Sequence, residues 1–300
     1  MRISTQMIQR LAVNGIIDRQ SDLSKTQQQL ATGKRFLTPS EDPAGTTQAL
    51  ALKQQVAQND QYNANINRLK SRLEAEEGAL DSAGNALQRV RELAVSGLNA
   101  TYGQRERTAI AAEVRQLLTE IFNTANSKDG AGEYLFSGYQ TQTQPFADAG
   151  GGTYNYQGDQ HQRRLQISAT RQIESSDSGS EIFENLPVVA GGKQNIFTTI
   201  YNFASDLEAN TPNNDILTDL DTALDSVFST RAKIGARINA VDSQHQINEQ
   251  FETQTKAVLS DIEDLDYAEA VGQLNLELAG LQAAQQAFQR IQNLSLFSVL

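Results

Sequence analysis

The chain has 300 residues, of which 25 are basic and 36 are acidic, so its formal net charge is −11. This charge repels a phosphate backbone, which makes nucleic acid a poor candidate partner. Cysteine is absent, which excludes disulfides and thiolate metal ligands. No apolar run approaches the length of a membrane span, so we expect no membrane insertion.

The first twenty residues do not have the pattern of a cleavable secretory signal. Their apolar side chains are spaced as in a helix and are interrupted by Gln6, Arg10 and Asn14, so no continuous apolar run precedes a small-residue cleavage site. We therefore expect a cytosolic protein, or one that leaves the cell by a route that does not read such a signal.

The first predicted helix covers about residues 3–32. Ile16, Leu23 and Leu30 repeat every seven residues, and Ile3, Met7 and Leu11 lie on a similar stripe upstream. Gly33 predicts a C-terminal cap, because glycine readily adopts the left-handed conformation that ends many helices. After a break, Asp42 is the predicted N-cap of the next helix and Pro43 its first residue.

The second predicted helix, at about residues 44–98, has the clearest periodicity. Its heptad a and d positions, counted from Ile66, are Ile66, Leu69, Leu73, Glu76, Leu80, Ala83, Leu87, Val90, Ala94 and Gly97. Apolar or small aliphatic residues fill all of them except Glu76 and Gly97, which predicts coiled-coil packing over about four heptads. A third helix is predicted at about residues 104–126.

The composition changes from about residue 129 to residue 192. Glycines and tyrosines concentrate there, and short runs at 134–136 and 164–167 predict strands between turns. We interpret this region as a small β-rich insertion. Helix is predicted again near Asn195 and then as a second long rod at about residues 215–264.

The last predicted helix begins at Asp266, which forms a capping-box pattern with Glu269. Its apolar stripe and the apolar tail beyond it comprise Val271, Leu274, Leu278, Leu281, Phe288, Ile291, Leu296 and Phe297. The two terminal helices have each other, but no third layer from this chain to cover their remaining apolar surface. Because a lone helix pair is marginally stable in water, we expect neighbouring copies to cover it.

The sequence offers little for catalysis. His161 and His245 lie far apart without a metal-binding pattern, and the Gly150–Gly152 run lacks the lysine of a phosphate-binding loop. The acidic residues at 261–266 lack calcium-loop spacing, so we interpret them as a capped helix junction. We therefore predict no enzyme activity, no metal and no cofactor. Arginines 89, 91, 105 and 107 are expected to pair with a neighbouring helix or a partner subunit.

Three motifs resemble the bacterial flagellins and flagellar hook-associated proteins. They are Leu30–Arg35 followed by Ser40–Gly45, then Leu87–Val95, and finally Ser260–Ala268. Within that family, the segments Met1–Thr5, Tyr134–Gly138, Ile234–Asn239 and Ala287–Phe297 are similar to those of hook–filament junction subunits. A flagellin filament subunit is the alternative within the family, and the Leu87–Val95 segment gives it some weight. A surface-binding module presented by the insertion is an alternative of another class.

The resemblance implies a mainly α fold of long antiparallel helical rods with a terminal coiled coil and a small β-rich outer domain. The implied domains are an inner coiled coil (1–43 and 265–300), an α-helical rod domain (44–138 and 192–264) and an outer domain (139–191). The implied function is a structural ring between the hook-side junction protein and flagellin, outside the cell. The resemblance also implies export through the flagellar type III apparatus with a cytosolic chaperone. Rod contacts between subunits are implied for Arg89, Arg91, Glu92 and Leu93.

Overall fold

The structure, a computed structural model, describes residues 5–297 and is mainly helical. The helices are α1 (Thr5–Thr32), α2 (Pro43–Gly97), α3 (Gln104–Ala125), α4 (Ile196–Glu208), α5 (Asp215–Glu263) and α6 (Tyr267–Phe297). The strands are β1 (Phe146–Gly150), β2 (Thr153–Tyr156), β3 (Arg164–Gln166), β4 (Gln172–Glu174), β5 (Leu186–Pro187) and β6 (Lys193–Gln194). This architecture confirms the predicted fold class. None of the described helices is long and apolar enough to cross a membrane.

Local side-chain chemistry sets the helix ends. Asp42 Oδ1 accepts a hydrogen bond from the Gly45 backbone N–H at 2.8 Å, and α2 begins at Pro43, as predicted. Asn195 caps α4 by accepting from Thr198 N–H at 2.7 Å. Asp266 Oδ1 accepts from the N–H groups of Ala268 and Glu269, so it caps α6. The reverse half of the predicted capping box, a bond from Asp266 N–H to Glu269, is not formed within the described residues.

The strands form three separate antiparallel hairpins, β1–β2, β3–β4 and β5–β6. The predicted strand at 164–167 is confirmed as β3. The predicted strand at 134–136 is wrong, because this segment makes only isolated bridges at Tyr134 and at the following Ser137. The carbonyls of Tyr134 and Leu135 accept instead from the buried guanidinium of Arg72, at 2.9 and 3.3 Å. The Arg72 side chain thus donates the hydrogen bonds to these two carbonyls that a neighbouring strand would donate in a sheet.

The chain divides into two compact units. Unit 1 comprises Met1–Gln58 and Gln250–Leu300, and unit 2 comprises Asn59–Glu249. The three-domain division at residues 43 and 264 and at residues 139–191 stays a prediction. The β-rich region belongs to unit 2, and it shares one hydrophobic core with the helices of that unit through Phe146, Ile167 and Phe183.

The side chains at the heptad positions of α2 form the central part of the unit 2 core. All ten predicted a and d residues are buried, including the two exceptions to the apolar pattern, Glu76 and Gly97. Gly97 permits close packing against α4, since a Cβ there would lie 2.7 Å from Leu207 Cδ2 and would force that buried side chain to shift. Four phenylalanines complete the core by edge-to-face and stacked contacts; they are Phe136, Phe146, Phe183 and Phe197.

Replacing Leu87 with alanine is expected to lower the free energy of unfolding of unit 2 by about 2–5 kcal/mol, because Leu87 is fully buried and its removal leaves a cavity. Urea denaturation followed by circular dichroism measures this change. Val95→Ala is the control on the same helix, since Val95 is 53% exposed. Similar losses for the two variants would contradict the core assignment of Leu87.

Candidate assembly surface

The terminal helices α1 and α6 pack against each other in unit 1. Among the side chains of these two helices that the structure describes, only Leu23, Thr26 and Ala270 are buried. The contrast with α2 is large, because every heptad core position of α2 between residues 66 and 97 is enclosed. The helix pair therefore obtains little stability from burial within one chain.

Large apolar side chains on this helix pair remain in water. They are Met7 (56% exposed), Leu11 (60%), Val13 (40%), Ile17 (57%), Val271 (46%), Leu276 (70%) and Leu278 (38%). A concentration of this kind on one pair of helices is unusual for a surface that stays in solvent, and it marks a candidate interaction surface. We call these seven residues the terminal apolar face.

The structure divides the predicted apolar stripes into three groups. Met7, Leu11, Val271 and Leu278 belong to the terminal apolar face, and Leu23 is buried. Half-buried positions are Ile16, Leu30, Leu274, Leu281 and Phe288. Ile3 lies outside the described residues, as do the side chains of Ile291, Leu296 and Phe297.

Sequence reasoning missed three residues of the terminal apolar face, Val13, Ile17 and Leu276. The stripes assigned to the two helices leave out other sides of each helix: at about 3.6 residues per turn, Val13 and Ile17 lie about 120° around α1 from Met7 and Leu11, and Leu276 lies about 150° around α6 from Val271 and Leu278. The sequence signal for these residues is that apolar side chains occur on more than one side of each terminal helix. A helix that packs against neighbours on two sides needs an apolar surface wider than a single stripe.

A polar contact fixes the register of the helix pair. The hydroxyl of Thr26 donates to Glu277 Oε1 at 3.0 Å, and Gln273 Nε2 donates to the same oxygen at 3.0 Å. Thr26 is buried, so its hydroxyl needs this partner. A shift of one helix along the other would break the contact.

A short backbone bridge joins the chain after α1 to the chain after α5. Arg35 N–H donates to the Glu263 carbonyl at 2.8 Å, and Leu265 N–H donates to the Gly33 carbonyl at 2.9 Å. Gly33 adopts φ 69°, which confirms its predicted role as the C-terminal cap of α1. A Cβ at Gly33 would also lie 2.8 Å from the Tyr267 hydroxyl, but that side chain is 56% exposed and can move, so the positive φ is the main reason for glycine here.

Glu263 ties three segments of unit 1 together at this bridge. Its Oε1 accepts from Lys34 Nζ at 2.5 Å and from Lys53 Nζ at 2.6 Å. Burial opposes ionisation of Glu263, but the hydrogen bonds and charges of the two lysines outweigh it and lower the pKa of this carboxyl. The hydrogen bond to Glu263 in turn raises the pKa of Lys34.

The predicted rod contacts have partners within the chain. Arg89 pairs with Glu92 and Glu113, and Arg91 pairs with Asp221, which agrees with ion pairing to neighbouring helices. These side chains are about half exposed, so a contact role for Arg89, Arg91 and Glu92 between subunits stays a prediction. Leu93 is 7% exposed and packs in the core of unit 2, and its predicted contact role between subunits also stays a prediction.

The described residues contain no group of three or more histidine, cysteine or acidic side chains arranged to hold a metal ion. His161 is largely exposed and lies 3.8 Å from Asp159, and His245 lies 3.5 Å from Glu249 one helical turn away. Neither pair contains the nucleophile or third orienting group of a catalytic constellation. The surface of the terminal helices is therefore the functional site that the described residues define best.

Two family models match this chain. One, described as the bacterial flagellin N-terminal helical region, matches residues 3–141, and the other, described as the bacterial flagellin C-terminal helical region, matches residues 217–300. Together they cover most of the sequence, including both terminal helices. The chain therefore belongs to the bacterial flagellin family.

Within that family the chain is similar over its full length to flagellar hook-associated protein 3 of Escherichia coli K12, with 29% identity across all of this chain and 99% of that protein. A flagellin of Salmonella rubislaw is 35% identical over 119 residues only, which is 40% of this chain and 24% of the flagellin. The crystal structure of flagellar hook-associated protein 3 from Legionella pneumophila has the same fold, with a TM-score of 0.66 at 20% identity, over 71% of this chain and 98% of that one.

Replacing Glu263 with glutamine is expected to weaken the backbone bridge by about 1 kcal/mol at neutral pH, because Lys34 and Lys53 are partly exposed and lose a screened ion pair. Since the folded pKa of Glu263 is lowered, its contribution is present above about pH 4.3 and is lost as the pH falls through the folded value. Hydrogen exchange at the amides of Arg35 and Leu265 measures both effects.

The exposed neighbour Asp261 supplies the control variant, Asp261→Asn, which leaves the two lysines paired. Unchanged exchange at the two amides in Glu263→Gln would show that the ion pairs do not support the bridge.

Proposed function

We propose that this protein is a structural junction subunit that joins the bacterial flagellar hook to the flagellin filament and has no catalytic turnover. The observation that carries the proposal is the terminal apolar face, which one copy leaves in water. Full-length similarity to proteins named flagellar hook-associated protein 3 supports the hook-associated role over that of a filament subunit.

Burial of the terminal apolar face supplies the driving force for assembly. Burying a fully exposed large apolar side chain contributes roughly 1.5–3 kcal/mol, and since these side chains are 38–70% exposed, burial of their remaining area contributes about half of that each. Seven such residues lie on α1 and α6, so contact with neighbouring subunits can offset the entropy lost when subunits associate. The register contact between Thr26 and Glu277 keeps the face in one geometry.

The partners in this proposal are further copies in a ring, the hook-side junction protein on one side and flagellin on the other. The proposed route is export through the flagellar type III apparatus with a cytosolic chaperone. A helix pair with few buried side chains supports such a route, because it costs little to keep unfolded before assembly. In this scheme the terminal pair is the inner domain and the β-rich region is the outer domain.

A flagellin filament subunit is the second candidate. The higher local identity to flagellins favours it, at 35% over 119 residues. That similarity covers 40% of this chain, however, whereas the hook-associated relatives match all of it. We therefore place the filament role second.

Deletion of the gene distinguishes the two candidates. Loss of a junction subunit is expected to leave hooks without filaments and to release unpolymerised flagellin into the medium. Loss of a filament subunit is expected to leave hooks that still carry their junction and cap proteins. Electron microscopy of the hooks and analysis of the medium for flagellin separate these outcomes, and normal filaments would overturn both candidates.

Replacing Leu276 with aspartate is expected to abolish filament attachment in the complemented deletion strain. This side chain is 70% exposed in the single chain, so the substitution leaves the isolated subunit as stable as before. In an assembled interface it would bury an unpaired charge, which is strongly unfavourable. Counting hooks that bear filaments measures the effect.

The matched control is Asn275→Asp, which adds the same charge at the neighbouring exposed position of α6. This variant is expected to restore filaments. Equal filament numbers for Leu276→Asp and for the unaltered protein would refute the terminal apolar face as an assembly surface.

A further inference from the structure

The most unusual segment of unit 2 is a buried stretch of polar residues, 175–180, which its composition would place in water. Every residue in it is buried. Its backbone is held by a bond from Gly179 N–H to the Phe136 carbonyl at 2.9 Å and one from Ser175 N–H to the Arg163 carbonyl at 2.6 Å. We call residues 175–180 the polar seam.

Charged side chains surround the polar seam in two connected sets. In the first, Arg72 pairs with Asp129 and with Glu133, and Glu133 also pairs with Arg163. This set contains two positive and two negative groups, so its formal charge is zero.

The second set is balanced in the same way. Arg237 pairs with Asp177 of the polar seam through two hydrogen bonds of 2.7 and 2.8 Å, and it also pairs with Glu174. Glu174 pairs with Arg164. Four arginines around the seam are thus matched by four carboxylates in ion pairs, although the Nε–H of Arg72 is buried without a hydrogen-bond partner among the described residues.

Glu76 is a fifth carboxyl group beside the polar seam, in addition to the four carboxylates of the two paired sets. It occupies a d position of α2 and is 0% exposed. Its Oε1 accepts from the backbone N–H of Asp177 at 3.1 Å, whereas its Oε2 is buried and has no hydrogen-bond partner among the described residues. The charged groups that face it are Arg72 on α2, Asp177 in the polar seam and Arg237 on α5.

An ionised Glu76 would bring an unmatched negative charge into a site that is shielded from water. Such a charge costs several kcal/mol, so a buried carboxyl without a free cation keeps its proton. Burial is the largest cause that raises the pKa of Glu76, the Asp177 charge raises it further, and Arg72 and Arg237 lower it only in part.

We propose that Glu76 is protonated in the folded protein and acts as a pH-sensitive latch that holds the polar seam against α2. The neutral carboxyl keeps the bond from Asp177 N–H without adding charge to the balanced network. Loss of the proton places a charged Glu76 beside the Asp177 carboxylate, while the nearby Arg72 and Arg237 are already paired with other carboxylates, and the seam is released. The latch is independent of the junction role, because all its parts lie in unit 2.

The direction of the pH effect follows from proton linkage. A carboxyl that is protonated more readily in the closed state than in the open state stabilises closure fully below its open-state pKa, which is about 4.3 for a free glutamate. The stabilisation is lost as the pH rises toward the closed-state value. Over that interval the equilibrium constant for opening of the seam increases by up to about tenfold per pH unit.

Hydrogen exchange of the intact protein between pH 5 and pH 9 tests the latch. The readout is the protection of the amides of Asp177 and Gly179, after division by the intrinsic exchange rate at each pH. Protection in the unaltered protein is expected to fall by up to about tenfold per pH unit over at least part of this range. In Glu76→Gln the amide oxygen still accepts from Asp177 N–H but cannot ionise, so protection is expected to be independent of pH.

Glu74→Gln is the matched control on the same helix, because Glu74 is exposed and should leave the pH dependence unchanged. Protection that does not change with pH in the unaltered protein would overturn the proposal by itself, even if Glu76→Gln did not fold. An equal pH dependence in Glu76→Gln and in the unaltered protein would overturn it as well, since another group would then be responsible.

Discussion

Large apolar side chains on α1 and α6 stay in water in the single chain, and their burial is the main source of free energy available for assembly. Few of the described side chains on these two helices are buried, while seven large apolar ones, four on α1 and three on α6, are exposed. Contact with further protein surface would remove that area from water. This constraint supports the proposed assembly with neighbouring subunits.

The contacts where α1 ends and α6 begins hold the two helix ends in a defined geometry. Gly33 turns the chain with a positive φ, and Glu263 gathers two lysines at a backbone bridge. Each of these contacts contributes modestly to stability, but together they fix where α1 ends and where α6 begins. A surface that must fit several neighbours benefits from ends that are held in place, since an interface formed from mobile helices would lose more entropy on assembly.

The β-rich region is integrated with the helices of unit 2, and this affects how the alternative of a surface-binding module presented by the insertion can be tested. Phe146, Ile167 and Phe183 lie in the common core, and the polar seam is enclosed beside α2. Removal of residues 140–191 would therefore expose the core and break the charge network at Arg237. An attachment role for this region is better examined by changing its exposed side chains, such as Tyr139, which is 55% exposed.

The sequence by itself determined the helices, their caps and the periodic core. Heptad spacing in α2 and the residues Gly33, Asp42, Pro43 and Asp266 act through neighbours a few positions away, so their effects can be read along the chain. The motifs at both ends also indicated the family, which the comparisons then established. Local chemistry was sufficient for these results.

Tertiary structure alone decided which polar groups are buried and which apolar groups are not. The seam at 175–180 has the composition of an exposed turn, yet it is enclosed because Arg237 and Tyr156, distant in sequence, satisfy its side chains. Leu93 lies in the core and Leu276 in water, although neither belongs to the apolar stripes that the spacing defines. Burial depends on which elements meet across long sequence separations, and spacing along one helix does not specify those contacts.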